Sequence, residues 1–76
     1  MTNSSPIPTA IPVTLNGETV TFVAGASVAD VVTHLGLAGK RIAVERNQDI
    51  VPKSQHAATL LCPGDVIEIV HAIGGG

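Results

Sequence analysis

Apolar and polar residues alternate from Ile11 onward. Ile11, Val13 and Leu15 are interleaved with Pro12, Thr14 and Asn16, and after Asn16-Gly17 the alternation resumes with Val20 and Phe22 between threonines. A period of two sets alternate side chains on one face of a strand, and Asn-Gly between two such runs is the strongest short-range signal for a hairpin. Pro12 has no amide to donate, which suits an edge or the beginning of a strand and predicts that pairing starts only at Val13. The period then changes. Ser27 stands three residues before Asp30, and Val28, Val31, Val32 and Leu35 follow at i, i+3, i+4 and i+7. This spacing predicts a short helix capped by Ser27, with an apolar stripe that needs a sheet to cover it. Gly36 is expected to close the helix in a left-handed conformation, with Leu37 folding back.

Alternation returns beyond Gly39. Arg41 to Arg46 predicts a third strand with Ile42 and Val44 inward, followed by a turn at Asn47-Gln48-Asp49. Ile50-Val51-Pro52 is too short for more than a bridge, Lys53 to Ala58 has room for a helical turn, and Thr59 to Cys62 for a short strand before Pro63-Gly64-Asp65. In Val66 to His71, Glu68 between Ile67 and Ile69 turns the isoleucines inward and leaves Val66, Glu68 and Val70 on the opposite face, two valines exposed. Hairpin, helix, strand, irregular segment and strand, in that order, predict an α+β fold of the β-grasp (ubiquitin-like) plan. It has a mixed sheet with one main helix packed on one face and the last strand central, beside the first. This domain is expected over residues 11–71. A flexible leader is expected over 1–10 and a flexible glycine tail over 72–76.

Composition narrows what such a domain can do. With 76 residues, 45% of them hydrophobic and 1% aromatic, the core must be aliphatic, built around Phe22. A chain of this length buries only about 60% of its unfolded surface, which leaves little room for a deep catalytic pocket. A net charge of -2, with Lys40, Arg41, Arg46 and Lys53 as its cations and no aromatics to stack on bases, argues against nucleic acid as a partner. No apolar run is long enough for a membrane span. Cys62 is the single cysteine and no charged-then-apolar leader opens the sequence, so a cytoplasmic, reducing setting fits best. His34, His56 and His71 lack metal-ligand spacing. Cys62 reads as a small apolar residue with no adjacent cation to activate it, and Ser27 with Asp30 as a helix cap, not part of a triad. What remains is Ala72-Ile73-Gly74-Gly75-Gly76. Its reactive group is a terminal carboxylate, which five extended residues project roughly 17 Å, without a Cβ on the last three to obstruct a narrow channel.

Several short motifs recur together in a known order. Leu15-Asn16-Gly17-Glu18, Gly25-x-Ser27-Val28, Asn47-x-x-Ile50-Val51-Pro52-Lys53, Pro63-Gly64-Asp65-x-Ile67-Glu68 and the glycine end resemble the ubiquitin-like sulfur carriers of bacterial cofactor biosynthesis, most closely those of thiamin biosynthesis. The resemblance covers Val13 to Gly76. It implies that Gly75 and Gly76 are the paired terminal glycines and that the Gly76 carboxylate is adenylated by an E1-like enzyme using ATP. Conversion to a thiocarboxylate, with sulfur from a donor enzyme, and delivery to thiazole synthase would follow. On this reading the chain binds no cofactor or metal and is a protein cosubstrate, not an enzyme. The chemistry needs such partners, because a carboxylate is a poor electrophile until activated and the sequence has no phosphate-cradling loop and no paired cysteine ligands. Val66 and Val70, with Ile73 and Gly74, are the expected partner contacts. Lys53 in place of an arginine, His56 in place of an aromatic residue and a third terminal glycine depart from the family pattern. Two other functions are compatible with the residues: a carrier like the molybdopterin-synthase small subunit, and a non-reactive ubiquitin-like binding module whose sheet face does the work. The Asn47 to Lys53 segment favours the thiamin branch.

Overall fold

The computed structural model describes residues 10–71, a five-stranded mixed sheet with one α-helix on one face. The leader and tail assignments, apart from Ala10, concern residues outside the described ones. The hairpin forms as its alternation predicts, β1 (Ala10–Leu15) against β2 (Glu18–Val23), through a turn with Asn16 and Gly17 both at positive φ, 50° and 86°. That twist matches the strands on either side. Pro12 does not delay the pairing, which begins at Ala10, nor does β1 lie at an edge. Thr14 and Asn16 donate their amides toward the last strand, so the amide missing from Pro12 is on that side too, before that strand begins, and no rung is lost. Ala10 is therefore part of the sheet and not of a leader.

The helix α1 (Val28–His34) opens with a reciprocal cap: Ser27 Oγ accepts from the Asp30 amide at 3.3 Å, and Asp30 Oδ2 accepts from the Ser27 amide at 2.7 Å. Its next free amides, on Val28 and Ala29, donate to the carbonyls of Thr59 and His56. The exit is a Schellman pair, with Gly36 N donating to Thr33 O and Leu37 N to Val32 O. Strands β3 (Ile42–Arg46) and β4 (Asp49–Val51) follow, then a 3-10 turn at Lys53–Gln55 and β5 (Val66–His71). Two weaker expectations need correction. Ile50 and Val51 belong to a true, if short, strand, paired in register with Glu45 and Val44. Thr59 to Cys62 is no strand, because Leu60 makes only an isolated bridge to Ser27 while its neighbours satisfy the helix start.

The sheet order is β2-β1-β5-β3-β4, so β5 is central, parallel to β1 and antiparallel to β3. Val28 and Val31 of the helix close over Val13, Val44 and Ile67, the most deeply buried part of the core, with Val32 beside them. Phe22 is not its centre. It lies half-buried on edge strand β2 and meets the His34 ring edge-on at 5.2 Å, sealing one rim.

Candidate functional site

Because β5 leads into residues 72–76, whatever fixes β5 fixes the base of the tail. Its approach is a tight turn in which Asp65 N donates to Cys62 O, with Pro63 at the second position and Gly64 at the third, at φ 87°. Pro presets the first of these conformations, and the second is one that glycine adopts without strain. Asp65 itself is buried, an unusual place for a carboxylate, and it is fully engaged. Oδ2 accepts from Arg46 Nε at 2.8 Å and from the Cys62 amide at 2.8 Å, and Oδ1 accepts from Asn47 Nδ2 at 3.0 Å. Burial alone would push the Asp65 carboxyl upward. The bonds from Cys62 and Asn47 and the Arg46 guanidinium outweigh it and hold the carboxyl below its ordinary value.

Two asparagines then clamp the strand from either side. Asn47 Oδ1 accepts the Val66 amide at 2.9 Å while its own amide donates to Val66 O, prolonging the β3 ladder by one rung. Asn16 Oδ1 accepts the Ile69 amide at 2.9 Å, and the Asn16 amide donates to Ile67 O. The β1 backbone is turning away at that point, so the side chain takes the place of the next main-chain rung. Both asparagines have positive φ, 50° and 52°, a conformation asparagine tolerates better than most residues. Asp65, Asn16 and Asn47 thus build the base of the tail, a role the sequence does not disclose, since there they read as turn residues and as parts of the shared motifs. A signal was present: Asp65 immediately precedes Val66-Ile67-Glu68-Ile69-Val70, a strand apolar at four of five positions, where an acid needs partners.

Val66 and Val70 are 44% and 56% exposed, on the face opposite α1, as the phase of Ile67 and Ile69 predicts. Ile73, Gly74, Gly75 and Gly76 lie outside the described residues. Among the described residues no His, Cys, Asp and Glu side chains gather in a group able to hold a metal. His56 Nε2 donates to Val51 O at 3.0 Å, and His34 packs on Phe22. Cys62 corrects its expectation: the thiol is exposed, not packed, and a cation is adjacent, Arg46 Nη2 lying 3.5 Å from the sulfur. Among the described residues, the central strand is thus pinned along both sides, at Val66 by Asn47 and at Ile69 by Asn16.

That arrangement, a β-grasp sheet with its last strand central and fixed, defines a ubiquitin-like domain. The model of the ThiS family matches residues 13–76. The chain is 40% identical over 63 residues to the sulfur carrier protein ThiS of Bacillus subtilis (strain 168), covering 82% of this chain and 96% of that protein. It is 45% identical over 62 residues to a thiazole synthase of Paramagnetospirillum magneticum and 42% identical over 62 residues to one of Magnetococcus marinus, in each case covering 82% of this chain. The chain spans only 19% of the length of either synthase. Among solved structures, the crystal structure of the thiamine biosynthesis protein ThiS from Geobacter metallireducens superposes with a TM-score of 0.69 at 28% identity, covering 87% of this chain and all of that one. The chain belongs to the ThiS family.

Proposed function

We propose that the chain carries sulfur for thiazole formation in thiamin biosynthesis, on a thiocarboxylate made from the Gly76 carboxylate. The observation that carries this reading is the fixation of β5 from both sides by Asn16 and Asn47, immediately upstream of a glycine tail, in a member of this family. A carboxylate oxygen attacks the α-phosphorus of ATP on an E1-like enzyme and pyrophosphate leaves. A persulfide of a donor enzyme then displaces AMP from the acyl carbon to give an acyl disulfide, and a partner thiol attacks the enzyme-borne sulfur of that disulfide, forming a protein disulfide and releasing the chain with sulfur in place of one carboxylate oxygen. Gly75 and Gly74 keep the approach narrow enough for a partner's channel. The chain supplies the reacting carboxylate and its placement, and the partner supplies the catalysis.

Thiazole synthase is the proposed acceptor of the sulfur, and two relatives of that name contain a counterpart of this domain. Those names favour the thiamin branch over a molybdopterin-type carrier. Val66 and Val70 form the apolar docking contact. Ile73 shares the odd-numbered phase of Ile67 and Ile69, so it joins them only where the chain leaves strand alignment. No described helix is long and apolar enough to cross a membrane, and the cytoplasm is the proposed site of action.

The test is ATP-pyrophosphate exchange with the activating enzyme. Removing Gly76 still leaves a Gly-Gly end but withdraws the carboxylate by ~3.4 Å, and an error of about 1 Å already costs roughly a hundredfold in rate. Exchange should fall at least that far, and an alanine appended after Gly76 should abolish it. Full exchange by the shortened chain would move the reactive position to Gly75. Full exchange by the untrimmed extended chain would show that activation does not require a carboxylate at the position of Gly76, and no exchange by the parent chain would refute the terminal-carboxylate chemistry and leave the non-reactive binding module.

A further inference from the structure

The open face of the sheet carries a charge arrangement that the fold itself leaves unbalanced. Glu45 and Glu68 are directly opposite one another in the antiparallel β3–β5 pair, on the face away from α1. Like charges so placed repel and weaken a sheet. Among the described residues neither is in an ion pair, since the neighbouring Arg46 is committed to Asp65 on the other side of the strand. Apolar side chains border the pair. Ile50 is opposite Glu45 on β4 and 60% exposed, and Val66 and Val70 flank Glu68 along β5.

A partner that covers the two valines also strips water from the two carboxylates between them. Burying unpaired charge is costly enough that a purely apolar partner surface would be rejected, whereas a guanidinium can satisfy both carboxylates at once. We infer that the surface docking here belongs to thiazole synthase and presents an arginine between Glu45 and Glu68. The choice of partner follows from the two synthases that hold a counterpart of this domain in the same polypeptide, where the two bodies are tethered. The inference rests on the docking role proposed for Val66 and Val70. It adds the charge requirement that makes the face selective, with a repulsion in the free protein that only the correct partner relieves.

The experiment is calorimetric titration of the full chain into thiazole synthase from the same organism at low and high salt. The variants are Glu68→Gln, Glu45→Gln with Glu68→Gln, and Val66→Asp with Val70→Asp, each checked for folding by urea denaturation. The double glutamine variant should resist urea at least as well as the parent, bind at least about tenfold more weakly, and lose most of the salt dependence that the parent shows. Glu68→Gln alone should move affinity in the same direction. If the glutamine variants bind like the parent while the aspartate variant does not, the arginine is overturned and the apolar contact stands. If none of the variants weakens binding, the face is not the docking surface and both readings fail.

Discussion

Replacing Asp65 with alanine tests whether the base of the tail depends on one buried carboxylate. The substitution leaves the Cys62 amide and the Asn47 amide group without their acceptor and frees the Arg46 guanidinium. A donor left unsatisfied on burial costs about 1–3 kcal/mol, and a bond to a charged group about 1.5–3 kcal/mol. The Arg46 side chain is 30% exposed, so water recovers much of its share. A net loss of about 2–4 kcal/mol is expected, against a total that for a domain of this size is on the order of 10 kcal/mol or less. At about 4–8 °C per kcal/mol, Tm should drop by roughly 10–25 °C. Urea denaturation followed by circular dichroism reads the effect as a lower midpoint with an unchanged slope. Pyrophosphate exchange should slow as well, although Gly76 is intact, because β5 is no longer held at its approach. A variant within about 0.5 kcal/mol of the parent would refute the claim that Asp65 anchors this corner.

Three further outcomes follow from the same contacts. The Asp65 carboxyl is held below its unfolded-state value, so its contribution is complete above about pH 4 and is lost as pH falls through the folded value. Acid titration of stability should therefore be steeper for the parent than for Asp65→Asn. Asn16→Ala removes the acceptor of the Ile69 amide and strains the turn, so hydrogen exchange at Ile69 should accelerate; Asn16→Gly should restore the turn but not the protection. Ser27→Ala should cost about 1 kcal/mol in urea denaturation, since it breaks one half of the cap and leaves the Asp30 amide without its side-chain acceptor.

The parts of this fold legible in the sequence are those whose cause is local. Asn16-Gly17 dictates the hairpin, Ser27 with Asp30 the helix start, and the phase of Ile67 and Ile69 the exposure of Val66 and Val70. What was illegible depends on distant partners. Three-residue β4 exists only because β3 offers an edge for it. Phe22, the sole aromatic residue, reads as a core centre by composition, yet the sheet order puts its strand at the edge. Pro12 reads as an obstacle until the direction of its missing amide is known. Asp65 finds Arg46 and Asn47 nineteen and eighteen positions back in the chain, and Asn16 finds Ile69 fifty-three positions ahead, separations that no periodicity encodes. The candidate site divides the same way: its end is a sequence motif, and its base is a tertiary construction.

The most direct test of the sulfur-carrier account is top-down mass spectrometry of the chain after incubation with its E1-like enzyme, ATP and a sulfur donor. The account predicts a mass gain equal to replacing one oxygen by sulfur, carried by the fragment that ends at Gly76 and absent when Gly76 is deleted. Cys62, with its exposed thiol beside Arg46, provides the internal contrast. A gain of a whole sulfur atom located on Cys62, or no gain at Gly76 while the partner forms AMP, would contradict the account.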